Sequence, residues 1–128
     1  MPSRRLLAAL ALIVPFAGAA LAGERPHDGT WSVRMVTDSG VCKATYSYAI
    51  AVEDGAVRYI RAPGDAPTTV GGRIGADGKV DLDIRRSLAK VDAAGRLDGG
   101  TGAGTWHLAM LGCTGRWTAQ KRTQTVSY

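Results

Sequence analysis

The stretch TVGGRIGADGKVDLDIR, residues 69–85, carries the clearest fold signal in the chain. After the turn at Ala76-Asp77-Gly78, apolar and charged side chains alternate strictly, as they do in a β-strand with one buried face. The apolar positions are Val80, Leu82 and Ile84, and the charged positions are Asp81, Asp83 and Arg85. Residues 69–74 form a second β-type segment before the turn. The stretch therefore predicts a β-hairpin.

Similar short segments recur on both sides of this hairpin, and glycine-containing turns separate them. Upstream, the predicted strands cover residues 30–37, 45–53 and 57–61, and a loop at 62–68 contains two prolines, which cannot donate to a ladder. Downstream, a weaker hairpin joins residues 87–91 to 96–98 through Ala93-Ala94-Gly95. The closing pair of strands covers residues 104–110 and 113–122. The pattern predicts an all-β domain, an antiparallel up-and-down meander of about eight strands.

The N-terminal residues 1–22 have the features of a cleavable secretory signal peptide. Arg4 and Arg5 precede an unbroken apolar run at residues 6–14, and Ala20-Leu21-Ala22 fits a signal-peptidase site. The run is too short for the ~20 residues of a transmembrane helix, so no membrane span is expected. We expect cleavage after Ala22, which leaves a single domain at residues 23–128 in the periplasm or secreted from the cell.

Cys42 and Cys113 are expected to form a disulfide, because a pair of cysteines in an exported chain favours a bridge over a metal or catalytic site. Cys42 follows the first predicted strand and Cys113 begins the last. Their bond would bring the two ends of the meander within about 6 Å between α-carbons. Closure also removes the sheet edges that promote aggregation. A small closed or nearly closed barrel is therefore favoured over an open sandwich.

The charge of the chain argues against a nucleic-acid partner. Loss of residues 1–22 removes two of the 16 basic residues and none of the 11 acidic ones, so the formal charge falls from +5 to +3. The remaining basic residues are dispersed and aromatic residues are few. Five arginines are candidates for an exterior face that meets anionic lipid or an acidic polymer, although a dispersed polar surface explains them better. They are Arg58, Arg73, Arg85, Arg86 and Arg116.

No group of side chains in the sequence suggests catalysis or metal binding. His27 falls in an N-terminal segment that we expect to fray. Neither His27 nor His107 has Cys, Asp or Glu residues nearby at the sequence spacing of a metal site. No Gly-x-Ser-x-Gly elbow occurs. The glycine-rich residues 95–104 lack the lysine of a phosphate loop and lead into a strand, which indicates a flexible or bulged connection. We therefore expect a protein that is not an enzyme and that uses no metal or cofactor.

The aromatic side chains give the strongest lead to function, because most of them fall on the apolar phase of their strands and so converge inside the barrel. They are Trp31, Trp106, Trp117, Tyr46, Tyr48 and Tyr59. An eight-stranded barrel is just wide enough to be filled by side chains or to hold one small ligand, and both alternatives stay open. The predicted ligand site comprises Tyr46, Tyr48, Tyr59 and Trp106, and Trp31 and Trp117 are assigned structural roles.

Two resemblances to known families accompany this pattern. Gly29-Thr30-Trp31 on the first strand, with Arg122 or Arg116 on the last, resembles the calycin pattern of lipocalins and avidins. That resemblance implies that Trp31 packs across the barrel floor against the arginine, a structural role assigned to Arg122, and that the interior binds a small molecule. The mature chain also resembles a group of uncharacterised small exported proteins of alphaproteobacteria, and Gly-Cys-Thr-Gly-Arg-Trp at 112–117 is part of the shared pattern. No activity can be inferred from this resemblance.

Two functions follow as hypotheses. The first is a monomeric, noncatalytic periplasmic or secreted barrel that binds a small apolar or aromatic ligand. The alternative is a protein-interaction module, such as an inhibitor of secreted proteases or an envelope structural protein. The chain is similar in size, expected compartment and single disulfide bridge to the bacterial periplasmic inhibitors of secreted metalloproteases, which are eight-stranded barrels.

Overall fold

The computed structural model describes residues 26–123, so the predicted signal peptide and its cleavage site lie outside the described part. Residues 26–123 form an all-β fold of eight antiparallel strands in a nearly closed barrel, which confirms the predicted fold class. No helix within this range is long and apolar enough to cross a membrane. The elements are β1 (Gly29–Ser39), β2 (Thr45–Glu53), β3 (Ala56–Tyr59), β4 (Thr68–Ile74), β5 (Lys79–Arg86), β6 (Ala89–Asp98), β7 (Thr101–Leu108), the short 3₁₀ turn η1 (Ala109–Leu111) and β8 (Cys113–Lys121).

The strands follow one another around the barrel, and the first and last strands meet. The order of hydrogen-bonded neighbours is β3-β2-β1-β8-β7-β6-β5-β4, with Trp31 opposite Lys121 where β1 pairs with β8. The boundary between β3 and β4, which we call the seam, has no continuous ladder. One backbone hydrogen bond crosses it, from Ile74 N–H to Gly55 O at 2.9 Å. A continuous ladder therefore joins the first strand, β1, to the last strand, β8, whereas the barrel is open at the seam between β3 and β4.

The predicted disulfide is confirmed, and it links Cys42 to Cys113 with 6.1 Å between their α-carbons. Cys42 lies in the β1–β2 connection, and Cys113 is the fully buried first residue of β8. The bridge therefore supports the β1–β8 pairing at the same end of the barrel as the β5–β6 connection.

A packed layer of core side chains lies at the opposite end, which we call the floor. The β2–β3, β4–β5 and β6–β7 turns and residues 26–28 lie there. The inward side chains nearest these turns are buried or nearly so, because alternation places them on one face of each strand. They are Trp31, Val52, Val57, Ile74, Val80, Leu97 and Ala119.

The predicted hairpin between residues 87–91 and 96–98 is wrong. β6 runs without interruption through Ala93, Ala94 and Gly95, and the turn falls earlier, at residues 87–88. Ala93 and Gly95 are inward positions of one continuous strand, but small side chains there conceal the apolar alternation. Residues 95–104 are correspondingly the end of β6, a turn at residues 99–100 and the start of β7, rather than a loose connection.

Two tryptophans lie against the barrel wall because glycines on neighbouring strands leave room for their rings. A side chain at Gly104 would place its β-carbon 2.6 Å from Trp117 Nε1, and one at Gly115 would place it 2.6 Å from Trp106 Nε1. The indole N–H groups donate to backbone carbonyls, Trp117 to Ala94 O at 3.1 Å and Trp106 to Val36 O at 3.2 Å. The rings thus cover the wall and leave the centre of the barrel unfilled.

Candidate functional site

A cavity of about 320 Å³ occupies the barrel between the floor and the opposite end, which we call the mouth. The mouth is the end that carries the β1–β2, β3–β4, β5–β6 and β7–β8 connections. Most lining side chains are apolar and belong to the inward phase of their strands. They include Val33, Met35, Ile50, Val70, Leu82, Ile84 and Val91. A volume near 300 Å³ is at the lower end of the range for small-molecule sites.

Three of the four residues predicted as the ligand site form one aromatic cluster near the mouth. The Tyr46 and Tyr48 rings are stacked, with centroids 6.1 Å apart and 10° between their planes. Tyr59 meets Tyr48 edge-on across β2 and β3, with centroids 5.8 Å apart. The fourth residue, Trp106, lines the cavity from β7 and is almost fully buried. Geometry thus brings the tyrosines together and places Trp106 apart from them.

Arg86 is the charged residue of the cavity lining, and the expectation that it lies on the exterior is wrong. The inward alternation of β5 through Val80, Leu82 and Ile84 continues by one more step to Arg86, at the mouth. Its guanidinium carbon lies 5.1 Å from the Tyr59 ring centroid and 5.6 Å from that of Tyr48. These distances are typical of cation–π contacts. The signal that identifies Arg86 is present in the sequence, as the next inward position of the clearest strand.

Asp65 fastens the β3–β4 connection over the tyrosine cluster. Its carboxylate accepts hydrogen bonds from the Tyr59 hydroxyl and from Ala62 N–H, the latter at 2.9 Å. The bond from Tyr59 contributes most to holding the pKa of Asp65 below its usual value, and the same bond raises the pKa of Tyr59. Burial raises the pKa of Tyr48. At neutral pH Tyr48 and Tyr59 are therefore protonated, and Asp65 is an ionised acceptor.

Trp31 is fully buried at the floor, where its Nε1–H donates to His27 O at 2.9 Å. The arginines of the calycin resemblance lie elsewhere. Arg122 donates from Nε to Ser32 Oγ at 2.8 Å, and Ser32 alternates with Trp31 along β1, so this contact is on the outer face. Arg116 is also outside and pairs with Asp38 at 2.9 Å.

His27 is held in place at the floor rather than frayed. Its Nε2 lies 3.3 Å from Ala76 O, and its carbonyl accepts the Trp31 bond. His107 is on the exposed face of β7. On the outer face of β5, Asp83 pairs with Arg85 at 3.6 Å. Within residues 26–123, no three His, Cys, Asp or Glu side chains come together as metal ligands.

The fold and the cavity define a small, disulfide-bridged antiparallel β-barrel with a mostly apolar interior and Arg86 as the charged residue of its lining. A comparison of the chain with models of known protein families and with curated proteins yields no match.

Proposed function

We propose that this protein is a noncatalytic binding protein that holds one small, largely apolar ligand inside the barrel. The observation that carries the proposal is the cavity of about 320 Å³ and its mainly apolar lining. It is roughly twice the ~150 Å³ of an apolar protein cavity that stays dry and accepts benzene. A ligand of up to three aromatic rings, or a medium-length alkyl chain, suits this space.

The aromatic cluster supports the same proposal. Tyr46, Tyr48 and Tyr59 offer ring faces and edges to a ligand that enters from the mouth, and aromatic contacts of this kind add to the energy of simple apolar burial. The hydroxyl groups of Tyr46 and Tyr48 can donate to a polar end of the ligand, whereas the single hydrogen of the Tyr59 hydroxyl is already donated to Asp65.

Export to the periplasm or the extracellular space remains part of the proposal. The disulfide supports it, because such bonds persist in oxidising compartments and are rare in the cytosol. The signal-peptide features of residues 1–22 agree with that location.

Replacing Ala93 by leucine tests whether the cavity is the binding site. Ala93 lines the cavity from β6, and the larger side chain would occupy ligand volume. We expect Ala93→Leu to weaken binding of N-phenyl-1-naphthylamine, a neutral fluorophore that brightens in apolar surroundings, by at least about tenfold, which is the effect of about 1.4 kcal/mol. Fluorescence titration measures the change.

The matched control is Ala94→Leu, at the neighbouring exposed position of β6. This variant should bind the probe like the parent protein, and circular dichroism should show all three proteins folded. Equal binding by Ala93→Leu and the parent would overturn the proposal, as would a parent protein that binds neither the probe nor, in calorimetry, any of the ten-carbon compounds decanoate, 1-decanol and decylammonium.

A protein-interaction module is the second candidate, and the surface of the mouth favours it. The four exposed large hydrophobic residues of the described chain all lie in connections at this end, in the β1–β2 loop, the β5–β6 turn and η1. They are Val41, Leu88, Met110 and Leu111. Exposed apolar surface of this kind marks interaction sites. Ala93→Leu leaves these loops unchanged, so a biological activity that survives this substitution would favour the interaction module over the ligand-binding barrel.

A further inference from the structure

We infer that Arg86 makes the cavity selective for an amphipathic ligand with a carboxylate head group and an apolar body. This inference rests on the proposed function, because it concerns the chemistry of the molecule that the cavity holds. It names the class of ligand and assigns a specificity-determining role to a residue outside the predicted site.

The first step is the position of the charge. Arg86 lies half-buried at the mouth, and the lining below it toward the floor consists of apolar side chains. A charge beside apolar surface is costly unless it is paired and hydrogen-bonded. Among residues 26–123, the ion pairs within 4.0 Å are all exposed, and none includes Arg86. They are Glu53–Arg58, Asp83–Arg85, Asp77–Arg96 and Asp38–Arg116.

The second step concerns the donors of the guanidinium group. Arg86 Nε donates to Thr68 Oγ1 at 2.7 Å, and the Tyr59 hydroxyl also interacts with the group. Arginine has five N–H donors in a planar fork. Even with these two contacts satisfied, enough donors remain for a bidentate bond to a carboxylate, the geometry that this fork matches best.

The third step concerns Asp65, a carboxylate that interacts electrostatically with Arg86. Asp65 contributes an electrostatic attraction to Arg86, but its Oδ2 atom is already the acceptor for Tyr59 and Ala62 N–H. Asp65 therefore orients the tyrosine and the connecting loop, and it offsets only part of the positive charge. Arg86 is the charged residue of the cavity lining, and with this partial compensation it suits a monoanion better than a dianionic phosphate.

The fourth step concerns the ligand body. Tyr48 and Tyr59 flank the guanidinium group with their rings, so the ligand passes from a charged donor through an aromatic zone to an apolar chamber. An anion without an apolar body leaves the chamber empty. A neutral molecule leaves the charge unpaired. A carboxylate with an alkyl or aryl body satisfies both regions.

The test compares decanoate, 1-decanol and decylammonium, which share a ten-carbon chain and differ in head-group charge. Decanoate and decylammonium are titrated below their micelle concentrations and 1-decanol below its solubility limit, against the oxidised protein that holds N-phenyl-1-naphthylamine. We expect the affinity that displacement of the probe gives for decanoate to be about tenfold to hundredfold higher than that for 1-decanol, the range expected for a charge-assisted hydrogen bond. Decylammonium should be the weakest of the three.

In Arg86→Gln, decanoate should lose this advantage, and 1-decanol should bind within about a factor of two of its affinity for the parent protein. Arg85→Gln is the matched control, because it removes the same charge from the adjacent residue, on the exposed outer face of β5. It should keep the preference for decanoate. Arg86→Lys retains the charge without the fork and should keep part of the preference, which provides a second variant if Arg86→Gln fails to fold.

The outcomes separate the inference from the function on which it rests. If the parent protein binds decanoate and 1-decanol equally, or if Arg86→Gln and Arg86→Lys both leave their ratio unchanged, the inference is overturned and the proposed function stands. If the probe does not bind to the parent protein and none of the three compounds binds in calorimetry, the proposed function fails and the inference fails with it.

Discussion

Replacement of both cysteines by alanine, Cys42→Ala with Cys113→Ala, is expected to lower the free energy of unfolding by about 4 kcal/mol. The bridge closes a loop with a sequence separation of 71, which contains the whole of β2 to β7. In the chain-entropy account, a loop of this length restricts the unfolded chain strongly. The loss would be a large fraction of the 5–15 kcal/mol that stabilises a typical domain. Urea unfolding of the parent and variant proteins measures it.

Chemical reduction of the parent protein is the control for the double substitution. The reduced protein should unfold at nearly the same urea concentration as the alanine variant, because both lack the bridge. A decrease of less than about 1 kcal/mol on loss of the bond would contradict the role assigned to it.

Trp31→Ala is expected to be of similar severity, with a loss of about 3–5 kcal/mol in the free energy of unfolding. Trp31 is fully buried among the floor residues, so truncation leaves a large cavity at the end of the barrel that is otherwise packed. It also removes the indole N–H that donates to His27 O and fixes the N-terminal segment. Urea unfolding followed by circular dichroism measures the change, because the substitution itself alters tryptophan emission.

Trp31→Phe separates packing from the hydrogen bond. Phenylalanine keeps an aromatic ring in the floor but cannot donate to His27 O. We expect its loss to be clearly smaller than that of Trp31→Ala, because a typical hydrogen bond contributes about 1 kcal/mol. Equal losses in the two variants would show that the hydrogen bond, and not the packing of the floor, dominates.

The sequence predicts the strands best where large apolar residues alternate with polar ones. β2 spans Thr45–Glu53, the predicted limits, and β5 extends one residue beyond its predicted end. In both strands the inward positions carry Tyr, Ile, Val or Leu, so the period of two is visible without knowledge of the neighbours. The disulfide could be predicted equally well from the sequence, because only two cysteines are present.

Local patterns failed where the partner of a residue lies far away in the chain. Gly95 resembles a turn residue in isolation, but in the barrel it is a mid-strand position whose missing side chain accommodates the Trp117 ring. His27 resembles part of a loose terminus until Ala76, which is 49 positions further along the chain, is placed beside it. These contacts join segments of the chain that only the closed barrel brings together.

The volume of the interior also depends on contacts between segments that are distant in the sequence. The sequence places the tryptophans inside but leaves open whether they fill the centre. Gly104 and Gly115 settle where two of the rings lie, because each leaves space for an indole from the adjacent strand. Arg86 is a different case, since the alternation of β5 already assigns it to the inward face. Its charge led to an exterior assignment that the period of two contradicts.

A methyl ¹H–¹³C NMR titration of the oxidised protein with decanoate tests whether the hollow barrel receives a ligand with a carboxylate head. We expect saturable, one-to-one shifts in the cavity methyl groups of Val33, Leu82 and Ile84, with little change at the exposed Val41 and Leu88. Shifts confined to Val41 and Leu88, or cavity methyl groups that do not respond at any concentration below micelle formation, would contradict this expectation.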